Sequence, residues 1–261
     1  MRILVYGYGK MASAMVEGWL RAGINASDIT AFNPRRKETP PGIKLVTAPP
    51  ESAFDIVVLG FKPHMLRDIA PQIQSLAGPG TLMVSILAGI TLDQLHTAFP
   101  NAKGCVRFMP NLAVALGKSP NVLSAHELGQ ADHDCVTHLA SMLGSAEWLE
   151  DEGLFDLATA LAGSGPGFVY RVIDAFAGAA SELGLPAEMS QRLSLAMVDG
   201  AAALAASSEH SPAELADRVA SPGGMTREGL EVLDSDLALR RLLVRTLKAT
   251  ADKGSELSRN A

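Results

Sequence analysis

A glycine-rich segment near the start of the sequence carries the clearest signal of chemistry. Gly7 and Gly9 follow a short apolar run and open a stretch of helical periodicity, with Ala12 at the third small position. In a dinucleotide-binding loop the first glycine permits a tight turn, and the second lets a pyrophosphate approach the backbone. The unpaired N–H groups at the start of the following helix attract that anion. We expect the cofactor to contact Tyr6, Gly7, Tyr8, Gly9, Lys10 and Met11.

The residues after the second predicted strand bear on the choice of cofactor. A site for NAD commonly has Asp or Glu here, where the carboxylate accepts hydrogen bonds from the ribose hydroxyls. This sequence has Asn33 instead, followed closely by Arg35 and Arg36. A carboxylate would repel a 2′-phosphate, whereas two guanidinium groups form charge-assisted hydrogen bonds with it. The segment favours NADPH, with NADH as the alternative, unless the arginines only form a solvated turn.

The composition excludes several other classes of protein. The 261 residues carry 28 acidic and 22 basic side chains, and the net charge of −6 offers no positive field for binding nucleic acid. No run of about 18 apolar residues indicates a membrane span, and the first glycine comes too early for a signal peptide. Only two cysteines, Cys105 and Cys135, indicate a reducing compartment, so we expect a cytoplasmic protein. On a helix His133 points nearly away from Cys135 and His138 lies about 60° to one side of it, so we expect no metal site.

The order of apolar runs predicts an α/β protein whose N-terminal part is a Rossmann-like, doubly wound sheet. Short β-branched runs alternate with helical periodicity over residues 1–150, and this alternation is typical of parallel strands covered by helices on both faces. The predicted strands cover residues 2–6, 29–33, 44–46, 56–59, 82–86 and 104–108, with 121–124 and 146–149 as further candidates. Helices are expected at 11–22, 64–76, 91–98 and 126–143.

The remaining residues, 151–261, predict a separate all-α domain. They have alanine- and leucine-rich helical patterns and no convincing strand. Helices at about 168–183 and 187–206 carry more apolar surface than a domain of about 110 residues can bury alone. We therefore expect a helical dimerisation domain that forms a homodimer and possesses the surface for a higher homo-oligomer. An alanine-rich monomer is the alternative.

Five segments, read together and in order, resemble the pyrroline-5-carboxylate reductase family, whose members catalyse the last step of proline biosynthesis. The strongest match is a Ser-Pro-Gly-Gly loop in the second predicted domain. The segments are residues 60–63, 85–91, 107–111, 163–168 and 219–226, the last followed by Gly229, Leu230 and Leu233. Because their spacing covers nearly the whole chain, the resemblance is specific.

The resemblance implies where the nicotinamide half of the cofactor lies. Ligands of a Rossmann sheet bind beyond the carboxyl ends of its strands, and two of the five segments fall there. The backbones beside the nicotinamide would come from Gly60, Phe61, Lys62, Pro63, Ala88 and Gly89.

The resemblance also implies a substrate site in the Ser-Pro-Gly-Gly loop. In the family this loop holds the substrate carboxylate, and two glycines before a helix leave its first N–H groups open to an anion. The substrate residues implied are Ser221, Gly223, Gly224, Met225 and Thr226. Thr226, as the catalytic residue, would hydrogen-bond the imine nitrogen. Glu152 matches an acidic position near the family's substrate pocket, although an exposed glutamate at a helix start is the alternative.

The resulting hypothesis is NADPH-dependent reduction of the small molecule 1-pyrroline-5-carboxylate to L-proline. Phe61 and Met225 depart from the family pattern and leave open a related cyclic imine as substrate. Hydroxyacid dehydrogenases with this fold typically place a catalytic lysine in the helical domain, and residues 163–183 contain none. A regulator that binds NADPH without turnover is the remaining alternative.

Overall fold

A computed structural model describes residues 1–260 of the chain, which form two compact units. The first unit comprises Met1–Ser164 together with residues 249–260, and the second comprises Gly165–Lys248. The sequence places a boundary after residue 150, whereas the first unit continues to residue 164. The reason is that residues 152–162 contact the sheet. The Arg107 guanidinium carbon lies 3.7 Å from the centre of the Phe155 ring, and Asn111 Nδ2 donates a hydrogen bond to Ala162 O at 2.8 Å.

The first unit is built around one eight-stranded sheet. Its strands are β1 (Ile3–Tyr6), β2 (Ile29–Phe32), β3 (Lys44–Val46), β4 (Ile56–Leu59), β5 (Leu82–Ser85), β6 (Gly104–Met109), β7 (Ser119–Ala125) and β8 (Gly144–Trp148). Their order is β3-β2-β1-β4-β5-β6-β7-β8. Neighbouring strands are parallel except for β6 and β7, which are antiparallel. The eight predicted strands are confirmed, with ends that differ by at most two residues.

The central strands are buried on both faces, as expected for parallel strands covered by helices. Side chains alternate along a strand, so Ile3 and Val5 belong to one hydrophobic core, and Leu4 and Tyr6 belong to a second core on the other face. Trp19 fills the first core, and its indole N–H donates to Leu139 O at 2.9 Å. The two cores confirm the doubly wound architecture.

Helices connect the strands of the first unit. They are α1 (Lys10–Arg21), α2 (Leu66–Ile69), α3 (Leu92–Ala98), α4 (Gln130–Ser141) and α5 (Phe155–Ala158), with 3-10 turns at Ala26–Asp28, Pro63–Met65, Ala70–Leu76, Leu112–Leu116 and Glu152–Leu154 and a π-helix at Thr159–Gly163. The continuous helix expected over residues 64–76 is wrong. Pro71 has no N–H to donate, and Ile73 has non-helical angles of φ −117° and ψ 18°, so the segment breaks into short turns. The helix expected from residue 126 begins at Gln130, because Glu127 has a φ of 20° and Gly129 forms the cap.

The second unit is helical throughout. Its helices are α6 (Gly165–Glu182), α7 (Ala187–Ser207), α8 (Pro212–Val219), α9 (Met225–Asp234) and the first part of α10 (Ala238–Asn260), with a 3-10 turn at Ser235–Leu237. Gly184, with a φ of 107°, ends α6, and Pro186 caps α7. A reciprocal capping box between Ser211 and Glu214 starts α8. The all-α character of this part is therefore confirmed. No helix within residues 1–260 is both long enough and apolar enough to cross a membrane.

Candidate functional site

The loop after β1 and the loop after β4 pack backbone against backbone at Gly7. This residue has a φ of 102°, and a Cβ on it would lie 2.6 Å from Phe61 N and 2.7 Å from the carbonyl carbon of Gly60. A Cβ on Gly60 would in turn lie 2.6 Å from Gly7 O. Glycine is required at both positions because a side chain would force the two loops apart. Gly9 differs, since its Cβ would meet only Gly60 O, at an ordinary 3.8 Å. The protein itself leaves room at Gly9, as a close approach by a ligand requires.

The start of α1 is open to an anion. Gly9 is the N-cap residue, no side chain caps it, and the first turn contains no acidic residue. The N–H groups of Lys10, Met11 and Ala12 have no acceptor within the helix, because that position in any α-helix lacks a preceding turn. These donors and the helix dipole fit a pyrophosphate.

The other residues predicted for this loop contribute in different ways. The Tyr6 side chain is buried against Phe32, with ring centres 4.2 Å apart, and Tyr8 is buried in the opposite core. Burial raises the pKa of both phenols. The N–H groups of Gly7 and Tyr8 donate to Phe32 O at 3.0 and 3.1 Å. Tyr6, Tyr8 and the partly buried Met11 therefore support the loop from the protein interior, whereas the Lys10 side chain is exposed.

The residues after β2 present two free cations. Asn33 Nδ2 donates to Arg35 O at 2.6 Å and holds the turn that follows the strand. Arg35 and Arg36 are both exposed, and neither forms an ion pair with any residue that the structure describes. Two guanidinium groups beside the β1–α1 loop fit a 2′-phosphate.

The carboxyl ends of β1, β4 and β5 meet at one edge of the sheet. Gly60 N donates to Tyr6 O at 2.8 Å, and Ile86 N donates to Leu59 O at 3.2 Å. This brings Gly60, Phe61, Lys62, Pro63, Ala88 and Gly89 to the same edge as Gly7. Gly89 has a φ of 76°, and its Cβ would lie 3.1 Å from Leu257 Cβ. Its glycine is thus already explained by packing within the protein.

Glu152 is neither exposed nor isolated, and the alternative of an exposed helix-start glutamate is wrong. Its Oε1 atom accepts hydrogen bonds from Arg107 Nη1 at 2.7 Å and from Leu92 N at 2.8 Å. Sequence reasoning gave Arg107 no role. The signal was present, because an arginine within the apolar strand Gly104–Met109 requires a buried acceptor.

Five of the six residues predicted for the substrate lie together in the second unit, whereas Glu152 belongs to the first. Gly224 is the N-cap of α9, and no side chain caps that helix. A Cβ on Gly224 would lie 2.5 Å from Ser221 Oγ, so the Ser221 hydroxyl lies next to the helix N-terminus. Gly223 has a φ of 67°, which glycine adopts readily. The Gly224 N–H donates to Ser221 O at 2.9 Å, so the first N–H groups of α9 and the Ser221 hydroxyl remain as donors that fit a carboxylate.

The beginning of α9 places two further residues in solvent. Met225 is 94% exposed, and Thr226 is exposed. Arg227 connects the loop to the end of α8, since its Nη2 atom donates to Asp217 Oδ1 at 3.0 Å and to Ala220 O at 3.2 Å. Within residues 1–260 there is no group of three His, Cys, Asp or Glu side chains arranged for a metal ion.

Comparisons with known proteins match both parts of the chain. Residues 152–257 match the family model described as pyrroline-5-carboxylate reductase dimerisation. Residues 2–89 match the model described as NADP oxidoreductase, coenzyme F420-dependent.

Individual relatives cover almost the full length. The pyrroline-5-carboxylate reductase of Pseudomonas aeruginosa is 32% identical over 98% of this chain and 97% of that protein. The enzyme of the same name from Pisum sativum is 33% identical over 97% of this chain and 94% of that protein. Among solved structures, a pyrroline-5-carboxylate reductase from Coxiella burnetii has a TM-score of 0.90 and 28% identity, with 98% of each chain covered. This chain therefore belongs to the pyrroline-5-carboxylate reductase family.

Proposed function

We propose that the protein reduces 1-pyrroline-5-carboxylate to L-proline with NADPH. The observation that carries the proposal is family membership along 98% of the chain, with relatives of that name in bacteria and plants. The absence of lysine from α6 supports imine reduction over the chemistry of hydroxyacid dehydrogenases.

The first unit supplies groups suited to NADPH. The open N-terminus of α1 would hold the pyrophosphate, with Gly9 allowing its close approach. Arg35 and Arg36 would bind the 2′-phosphate. When bound, the cofactor supplies a hydride to the substrate carbon. The backbones of residues 60–63 and 88–89 would orient the nicotinamide and exclude water.

The second unit supplies groups suited to the substrate. The N–H groups of Met225 and Thr226 at the start of α9, together with the Ser221 hydroxyl, would bind the carboxylate. The Thr226 hydroxyl would donate a hydrogen bond at the ring nitrogen and pass on a proton from water as the carbon receives the hydride. One hydride and one proton convert the C=N bond into the CH–NH of proline.

We also propose a homodimer formed through the second unit, with larger homo-oligomers built from it. The family model that matches this part is named for dimerisation. Large apolar side chains remain exposed on α6 and α7, among them Val169, Tyr170, Phe176, Leu193 and Leu195. A cytoplasmic location stays a prediction from the low cysteine content.

The test is the loss of nicotinamide absorbance with 1-pyrroline-5-carboxylate, run in parallel with NADPH and NADH. We expect oxidation of NADPH, formation of proline in equal amount, and slower oxidation of NADH. NADPH binding without oxidation across a panel of cyclic imines would contradict the proposal and favour a regulator. Oxidation with the six-membered imine alone would move the substrate to that homologue.

A further inference from the structure

A buried arginine in the sheet lies at the centre of a cluster of charged side chains. The proposed binding of cofactor and substrate gives this arginine no role. Arg107 in β6 is 4% exposed. Its Nη1 atom contacts Glu152 Oε1 at 2.7 Å, its Nη2 atom lies 3.8 Å from Asp156 Oδ1, and its guanidinium lies over the Phe155 ring. A buried cation with such partners holds their positions tightly, because loss of any one leaves an uncompensated charge.

Glu152 connects this arginine to the start of α3. Thr91 and Gln94 form a capping box there, in which each side chain accepts a hydrogen bond from the other's backbone N–H. The capping box provides no acceptor for the N–H of Leu92, which donates to Glu152 Oε1 at 2.8 Å instead. Glu152 therefore fixes the end of segment 86–91, which begins at the carboxyl end of β5.

The same segment is held from a second direction by the last helix. A Cβ on Gly89 would lie 3.1 Å from Leu257 Cβ and 3.2 Å from Ser258 N, so the two backbones are in close contact. Gln94 Nε2 donates to Ser258 O at 3.3 Å. Ser255 Oγ donates to Asp156 Oδ2 at 2.9 Å, which connects the helix to the Arg107 cluster. Segment 86–91 is thus held by Glu152 and by the last helix, which are connected to Arg107 directly and through Asp156, respectively.

We propose that Arg107 and Glu152 are positioning residues that hold segment 86–89 in place for the cofactor. The inference rests on the proposed function, because it takes that segment as a wall of the nicotinamide site. Glu152 acts on this segment through Leu92, because one carboxylate oxygen, Oε1, accepts hydrogen bonds from both Arg107 and Leu92. We therefore expect a substitution of Glu152 to change the affinity for NADPH.

The experiment compares Glu152→Ala, Glu152→Gln and the control Glu150→Ala. Glutamine keeps an oxygen for Leu92 N but loses the charge opposite Arg107, whereas alanine loses both. Glu150 is an exposed glutamate two residues away. The measurements are the NADPH dissociation constant from nucleotide fluorescence without substrate, both KM values, and the thermal unfolding temperature.

We expect Glu152→Ala to weaken NADPH binding about tenfold or more, because small displacements of a positioning group are costly. Glu152→Gln should lie between Glu152→Ala and the native protein, and Glu150→Ala should match the native protein. The KM for 1-pyrroline-5-carboxylate at saturating NADPH should change less than about twofold. Arg107→Lys keeps the charge without the forked geometry of the guanidinium, and it should also weaken NADPH binding. This variant replaces Glu152→Ala as the test if Glu152→Ala does not fold.

Two results would overturn the inference. A raised KM for the imine with unchanged NADPH binding would make Glu152 a substrate ligand. A lower unfolding temperature with both constants unchanged would make the cluster purely structural. Failure of the proposed function would look different, because the native protein would bind NADPH without oxidising it, and the binding comparison would still be measurable.

Discussion

Gly7 is the residue at which two ligand-facing loops of the first unit come closest together. Its positive φ alone costs a substituted residue about 1–3 kcal/mol. A Cβ added at this position would lie 2.6 Å from Phe61 N, and this overpacking adds a cost of similar size. We therefore expect Gly7→Ala to lower the free energy of unfolding by about 2–5 kcal/mol and to abolish NADPH binding.

Gly23 offers a matched control for that substitution. It has a φ of 103°, but a Cβ on it would meet nothing within 4 Å. Gly23→Ala isolates the conformational cost from the steric one, and chemical denaturation of both variants measures the difference. Equal destabilisation by the two substitutions would show that the contact between the loops does not matter.

Arg35 and Arg36 should determine the choice between the two nicotinamide cofactors. Each charge-assisted hydrogen bond contributes about 1.5–3 kcal/mol. Replacing both arginines by serine should reduce the preference for NADPH over NADH by about 10- to 100-fold, with NADH kinetics nearly unchanged. Steady-state kinetics with each cofactor measure the ratio, and Arg67→Ser, an exposed arginine on α2, is the control. An unchanged ratio would assign the two arginines to a solvated turn.

Thr226 should affect turnover more than cofactor binding. Removing a positioned hydroxyl from the ring nitrogen should reduce kcat by about 10- to 100-fold. Thr226→Ala tests this, while Thr226→Ser keeps the hydroxyl and should retain most activity. NADPH titration should give the same dissociation constant for all three proteins. Native turnover in Thr226→Ala would remove the residue from the mechanism.

At this scale the sequence predicts residues whose roles are local and misses those that depend on distant partners. Gly7 and Gly224 could be predicted because a turn and a helix start are short-range features. The close contact of Gly89 with Leu257, 168 positions later, has no local signal in the sequence, while the contact of Gly89 with the cofactor stays a prediction. The pairing of Arg107 with Glu152 likewise depends on the fold, and no local pattern specifies it.

Among the elements, strands were easier to predict than helix ends. The buried strands are short apolar runs, and burial on both faces leaves little freedom in where they begin or end. The segment 64–76 has apolar periodicity but contains Pro71, and the backbone geometry at Ile73 overrides the periodicity. The π-helix Thr159–Gly163 was not predicted, since it has no simple sequence signal.

The capping box of α8 provides a test at the scale of one helix. Ser211 accepts a hydrogen bond from Glu214 N, and the Glu214 carboxylate accepts from Ser211 N at 2.7 Å. Ser211→Ala should lower the free energy of unfolding by about 1 kcal/mol at pH 7. Chemical denaturation measures the loss, and Ser235→Ala, at an exposed serine whose hydroxyl makes no hydrogen bond within the described residues, is the control.

The same capping box should respond to acid. Hydrogen bonds from Ser211 lower the pKa of Glu214 below its usual 4.5. A carboxyl group whose pKa falls on folding stabilises the folded state above its unfolded value, and this contribution is lost as the pH falls through the folded value. The difference between native protein and Ser211→Ala should therefore shrink below about pH 4.5. A constant difference down to pH 3 would separate the cap from Glu214.

For the whole molecule, the exposed apolar side chains of the second unit predict self-association. Leu195 on α7 is 59% exposed. Sedimentation should give at least twice the mass of one chain, and Leu195→Glu should shift the equilibrium toward single chains because it would bury a charge at the interface. Leu116→Glu, at a 73% exposed leucine of the first unit, should leave the mass unchanged. A native protein that sediments as single chains would refute the dimer.

The first unit is assembled from two stretches of chain, with the whole second unit between them in sequence. During translation, residues 249–260 emerge only after residues 165–248 have been made. Until then Gly89, Gln94 and Asp156 lack Leu257, Ser258 and Ser255. The sheet of the nascent chain therefore stays incompletely covered until residues 249–260 have been made. Ribosome-bound chains that stop before residue 249 should consequently depend more on chaperones than released ones do.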